Sequence, residues 1–190
     1  MAKTPSSMLP LGTPAPGFSL TDVITNSAIN LHQSDNQELA TVICFICNHC
    51  PYVKHINLAL TALANDYIPK NIRLIAINSN DTDNYPDDSP ENMKLTAETE
   101  GYTFPYLFDE TQEVAKAYHA ACTPDFFVFD QELQLAYRGQ LDDSRPGNGI
   151  TPSGASIREA LNCLIRGEAV SSTQKPSIGC NIKWKESQTV

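Results

Sequence analysis

Long apolar runs are missing from this chain. No segment approaches the ~18 apolar residues that a membrane-spanning helix requires, and Met1–Pro10 carries one lysine and no apolar stretch of signal-peptide length. Basic residues are scarce: 13 Lys and Arg stand against 22 Asp and Glu, for a formal net charge of −9. That balance argues against nucleic acid or an anionic membrane as a main partner. Cysteine is too sparse, at six in 190 residues, for a scaffold built from disulfides. Internal repeats and a domain linker are also lacking. With 41% hydrophobic and 18% charged residues, what remains is an ordinary globular protein of one domain. The expected compartment is cytoplasmic, with thiols kept reduced. There a Cys-x-x-Cys pair points to catalysis or metal binding rather than to a structural bridge.

Such a pair is present. The apolar run Ala40–Ile46 leads into Cys47-Asn48-His49-Cys50, and a helical pattern opens at Pro51. A thiol at a strand-to-helix turn meets the positive end of a helix, which favours thiolate over thiol. The magnitudes limit that effect. Lowering a thiol pKa by two units requires ~2.7 kcal/mol. A helix N-terminus typically supplies ~0.3–1 kcal/mol. The remainder is expected from His49, Lys54, His55 or nearby N–H groups.

Periodicity orders the rest. Phe18 and Leu20 alternate as a short edge strand, with Ile29–Leu31 pairing back on it. Ala40–Ile46 and Ile72–Ile77 read as buried strands. Pro51–Tyr67 is a helix, with Pro51 in its first turn and Val53, Ile56, Leu60, Leu63 and Ala64 on one face. Asn78–Pro90 is polar and reads as a solvated loop. Ser89 caps a helix over Glu91–Glu100. A strand at Phe104–Phe108, a helix at Glu110–Tyr118 and a hairpin of Phe126–Phe129 with Leu133–Tyr137 follow. A last helix spans Ile157–Ile165, opened by Ser153 or Ser156. The tail from Gly167 is polar, with an apolar cluster at Ile178, Ile182 and Trp184. A central sheet with helices on both faces accommodates this order.

The segments LGTPAPGFSLTD, Cys47-Asn48-His49-Cys50-Pro51, Ala121-Cys122-Thr123-Pro124-Asp125-Phe126-Phe127-Val128-Phe129-Asp130, YRGQLDDSRPGNG and QKPSIGCNIKWK occur in an order that resembles peroxiredoxin-like proteins. These are the alkyl hydroperoxide reductase and thiol-specific antioxidant (redoxin) proteins of the thioredoxin fold. The resemblance covers nearly the whole chain. It implies an α/β protein of thioredoxin fold: a central mixed β-sheet flanked by helices, with an N-terminal hairpin extension and a C-terminal tail. Residues 1–10 would be a flexible arm, residues 11–190 one domain, and residues 167–190 its C-terminal extension. Both thioredoxin-like and peroxiredoxin-like alignments select Cys50 as the nucleophile. The thioredoxin-type second cysteine falls at Val53, and the peroxiredoxin threonine of Thr-x-x-Cys-Pro falls at Cys47. The peroxiredoxin arginine falls at Pro124, which leaves Arg138 to approach from elsewhere.

The expected catalytic pair is Cys50 with Cys47 as its resolving cysteine. Thr123 and Pro124, with a cis bond between them, shape a substrate groove. Accessory candidates are Cys122, Cys180, His49 and Lys54, together with Asp142, Asp143 and Arg145 in a loop bordering the thiols. Cys44 and Cys163 read as core, and His32 and His119 as surface or packing residues. The activity implied is that of an antioxidant thiol–disulfide oxidoreductase. It needs no cofactor, acts on a disulfide or peroxide, and is reduced by an external thioredoxin- or glutathione-like thiol. A thiol peroxidase is one alternative. A metal- or partner-binding module without turnover is another, because Cys47, His49, Cys50 and His55 form a ligand set on paper.

Overall fold

The computed structural model describes residues 3–32 and 38–186. Met1 and Ala2 of the expected arm and residues 187–190 of the tail lie outside the described residues. The central strand, β4 (Ala40–Phe45), explains the architecture. All six of its residues are buried, so both of its faces are covered. Val42, Cys44 and Ile46 point into one apolar cluster, and Ile43 and Phe45 into the other. A strand buried on both faces must be apolar throughout, which is why its alternation disappears from the sequence.

β5 (Ile72–Asn78) pairs in parallel with β4, and β8 (Asp125–Asp130) pairs antiparallel on its other side. The full sheet has seven strands. β3 (Ala28–Leu31), β2 (Phe18–Asp22) and β6 (Tyr106–Phe108) extend it beyond β5, and β9 (Leu135–Gly139) extends it beyond β8. β3 takes the edge, so β2, expected there, is an inner strand flanked by β3 and β6. Helices α1 (Pro51–Tyr67), α2 (Pro90–Glu100) and α4 (Ala155–Ile165) contribute to the first cluster, and α3 (Glu113–Ala117) to the second. The mixed sheet covered on both faces is the expected thioredoxin-type arrangement. Among the described residues, no helix is long and apolar enough to cross a membrane.

Three local expectations change. The arm contains a strand, β1 (Lys3–Pro5), and the tail contains another, β10 (Ile178–Asn181). With β7 (Cys122–Thr123) they form a second sheet in the order β1-β10-β7. Hydrogen-bonded register between distant segments orders both; composition does not encode it. The start of α4 receives no side-chain cap from Ser153 or Ser156. Its preceding residue is Gly154 at φ 74°, and the Asp142 carboxylate accepts the backbone N–H groups of Ser153 and Gly154. The Asn78–Pro90 loop is largely buried at Asn78, Ser79, Asn80, Asp81 and Asp88.

Arg138 is fully buried on β9. Its guanidinium lies 3.2 Å from Asp125 Oδ2 and 4.2 Å over the Phe127 ring, and it also donates to the carbonyl of His119. Burial pushes the Asp125 carboxyl up to about 6 despite that cation. Removing one partner of a buried pair typically costs ~3–5 kcal/mol. Urea unfolding of Arg138→Ala should show a loss of about that size. Without the cation, Asp125 ionises at a growing penalty, so the deficit should increase as pH rises from about 6 to 8.

Candidate active site

The strand ends bring the expected thiols together. β4 runs out at Phe45, whose register partner is Asp125 at the start of β8. Cys47 and Cys50 therefore face Thr123 and Pro124, and the Thr123–Pro124 peptide is cis as expected. Cys50 precedes the first residue of α1 in an extended conformation, at φ −70° and ψ 124°. Pro51 takes the first helical position, where its missing N–H costs nothing.

Three sulfurs converge there. Cys50 Sγ lies 3.0 Å from Cys180 Sγ and 3.2 Å from the Thr123 carbonyl oxygen. Cys47 Sγ lies 3.2 Å from Thr123 Oγ1. All three cysteines are buried, and no disulfide links any of the six. Hydrogen bonds hold the Cys50 pKa well below the ordinary thiol range: first from the Cys47 thiol, then, against the cost of burial, from the Cys180 thiol and the N–H groups of Val53 and Cys180. As a thiol, Cys50 donates to the Thr123 carbonyl, a contact that opposes ionisation. Cys47 is pushed up by donating to Cys50 and by burial, and Cys180 by burial and by its bond to Cys50. The three shifts run in opposite directions, with Cys50 lowered and Cys47 and Cys180 raised.

Asp88 forms a second layer, and sequence reading treated it as part of a solvated loop. Its Oδ1 accepts the N–H of Asn48 at 2.7 Å, and its Oδ2 lies 2.7 Å from both His49 Nδ1 and Asn80 Nδ2. The His49 ring stacks on Tyr85 at 5.6 Å between centroids. The only signal for this role was position: a polar loop leaving the parallel strand next to β4. The ligand atoms of Cys47, His49 and Asp88 lie within 4.8 Å of one another. Both Asp88 oxygens already accept two hydrogen bonds or ring contacts each, so a cation would have to displace them. His55 is elsewhere, lining a small cavity with Tyr52, Pro124 and Arg145.

The other candidates divide. Lys54 is exposed on α1. Asp142 caps α4, and Asp143 makes an exposed ion pair with Lys175 at 2.8 Å. Arg145 donates to the carbonyls of Asp142 and Ser144 and to Gln140, beside the cavity that Pro124 lines. Cys122 is buried with its sulfur 3.5 Å from the Pro124 carbonyl, and burial raises its pKa. Cys44 is core, as expected, and Cys163 is half-buried on α4. Cys180, expected as an accessory candidate in a polar tail, sits in β10 against Cys50.

The His49 pKa is raised by its hydrogen bond to Asp88 and by the Asp88 charge, against the opposing effect of burial. A raised folded-state pKa stabilises the fold fully below the unfolded value near 6.5, and the gain disappears as pH rises through the folded value. The stability advantage of the wild type over His49→Gln should therefore shrink between about pH 6 and pH 9 in urea titrations. A pH-independent difference would show that the imidazolium contributes nothing to the pairing.

The chain can be set beside known proteins on this geometry. An uncharacterized conserved protein from Geobacillus kaustophilus is 60% identical, with a TM-score of 0.95 and 98% of each chain covered. A hypothetical protein from Sinorhizobium meliloti is 45% identical, with a TM-score of 0.93, covering 96% of this chain and 99% of that one. The thioredoxin domain of a thiol-disulfide oxidoreductase from Bacteroides vulgatus shares the fold at 15% identity and a TM-score of 0.61, over 80% of this chain and 97% of that domain. No curated protein matches. The AhpC/TSA family model matches residues 11–138, which span β2 to β9 and include Cys47, Cys50, Thr123 and Pro124, and the chain belongs to the AhpC/TSA family.

Proposed function

We propose that this chain is a thiol–disulfide oxidoreductase with Cys50 as its attacking thiolate. The observation that carries the reading is the Cys50 sulfur at the start of α1, facing the cis Thr123–Pro124 peptide, 3.2 Å from the Thr123 carbonyl oxygen and 3.0 Å from the Cys180 sulfur. Cys50 attacks a disulfide sulfur and forms a mixed disulfide; attack on a peroxide oxygen would form a sulfenic acid. A neighbouring thiol then closes an internal disulfide. Cys47, the partner selected from the sequence, and Cys180 both flank the sulfur. An external thiol of thioredoxin or glutathione type restores the reduced form. The sparse cysteines of the sequence support a cytoplasmic setting for an antioxidant role.

The peroxidase reading has weaker support. An arginine beside the thiolate would orient a peroxide, yet Arg138 is spent on Asp125 and the Tyr118 and His119 carbonyls, and Arg145 on its own loop. A metal-binding module without turnover is disfavoured by the commitments of Asp88.

Replacing the nucleophile should remove the chemistry entirely. Cys50→Ser is expected to lower the reduction of a model disulfide to the uncatalysed rate. Retained turnover would move the nucleophile to Cys47. Quenched mass spectrometry of the reduced protein with hydrogen peroxide should give a Cys50 oxidation rate like that of free cysteine. A rate orders of magnitude higher would make the protein a peroxidase.

A further inference from the structure

The last strand of the chain lies where a substrate must arrive. β10 pairs antiparallel with β7, Cys180 opposite Thr123 and Asn181 opposite Cys122. This places the Cys180 sulfur 3.0 Å from that of Cys50, about 1 Å beyond a disulfide bond length. Cys50 has 0% of its surface exposed. While β10 is seated, a disulfide carried by another molecule cannot touch the thiolate.

The seat is specific. A Cβ on Gly179 would fall 2.0 Å from the Thr123 carbonyl oxygen and 2.5 Å from its carbon, so only glycine lets β10 approach this closely. Both sides of Cys180 are tied down. Ser177 Oγ donates to the Pro124 carbonyl at 2.6 Å, and Ser177 and Ser6 exchange hydrogen bonds. Ile182 is buried in the second apolar cluster, and the Lys183 carbonyl accepts from Asp81 N–H and Gln112. Cys47, by contrast, is turned toward the Thr123 hydroxyl.

We infer that β10 is a strap that closes the site between turnovers and delivers Cys180, in place of Cys47, as the resolving thiol. The inference rests on Cys50 being the nucleophile, as proposed above. The strap lifts, and the Cys50 thiolate attacks a disulfide R–S–S–R′. A Cys50–S–S–R bond forms, and R′–S⁻ leaves and takes a proton from solvent. When β10 returns, the Cys180 sulfur attacks Cys50, and its proton goes to the departing R–S⁻. The substrate disulfide gains two electrons and becomes two thiols. Cys50 and Cys180 lose two electrons and become a disulfide, which the external thiol reductant cleaves. Cys47 stays turned toward the Thr123 hydroxyl.

The test uses the full chain with 5,5′-dithiobis(2-nitrobenzoic acid), acid quenching and peptide mapping by mass spectrometry. The wild type and Cys47→Ser should both yield a Cys50–Cys180 bridge. Cys180→Ser should instead retain thionitrobenzoate on Cys50. A Cys47–Cys50 bridge in the wild type, or equally fast resolution in Cys180→Ser, overturns the inference and leaves the nucleophile standing. Label on Cys47 with none on Cys50 overturns the nucleophile assignment and the inference with it. Gly179→Ala, checked for folding by circular dichroism, should raise the rate of Cys50 alkylation by iodoacetamide about tenfold or more, because the covering strand no longer seats. An unchanged rate in a folded variant overturns the strap. Should that variant fail to fold, the two cysteine variants still decide the resolving partner.

Discussion

The Cys50 sulfur is buried where the central strand gives way to α1, and the groups packed around it shape most of the site. Placing a charge away from water is costly unless donors replace the lost hydration. A helix end by itself supplies only a fraction of what a large pKa drop requires. The balance comes from elements far apart in sequence: the Cys47 thiol before α1, the Val53 amide within it, and the thiol and amide of Cys180 in β10. The Cys47 and Cys180 thiols are pushed up as Cys50 is pulled down.

The surrounding polar structure holds the turn that presents this sulfur. Asp88 grips the backbone of Asn48 and the His49 ring, and Asn80 and Asn78 grip Asp88 and its backbone in turn. The segment between β5 and α2 is therefore buried at Ser79, Asn80, Asp81 and Asp88 although its composition is polar and acidic, and residues 83–87 stay exposed. The same segment reaches the tail, because the Asn80 side chain accepts the Lys183 N–H and the Asp81 N–H donates to the Lys183 carbonyl. The loop behind the thiols and the strand above them are mechanically joined.

Arg138 is committed to the fold and not to the thiol site. The cation is dry, stacked on Phe127 and matched to Asp125. It reinforces the junction of β8 and β9, which brings Pro124 and the Gly139 end of β9 to the thiol end of the sheet. The position expected for a peroxide-orienting arginine is held by Pro124 itself.

Much was determined by the sequence alone. The apolar run of β4 could only be a strand covered on both faces, and Pro51 with its apolar stripe could only continue as α1. Their junction put a Cys-x-x-Cys pair at a strand-to-helix turn, and the resemblance to peroxiredoxin-like proteins singled out Cys50 and the Cys-Thr-Pro stretch before Asp125. These signals are local, and local periodicity is what a sequence displays. Tertiary structure decided the rest. The register of β10 against β7 brings Cys180 across 130 residues to Cys50. Asp88 was hidden for a related reason: a carboxylate that accepts backbone and ring donors looks, in sequence, like one that faces water. Asp142 was read as a loop acid until the fold set it over the N-terminus of α4. Each case depends on a hydrogen bond between segments whose spacing carries no repeat, and only the folded chain decides which donors meet which acceptors.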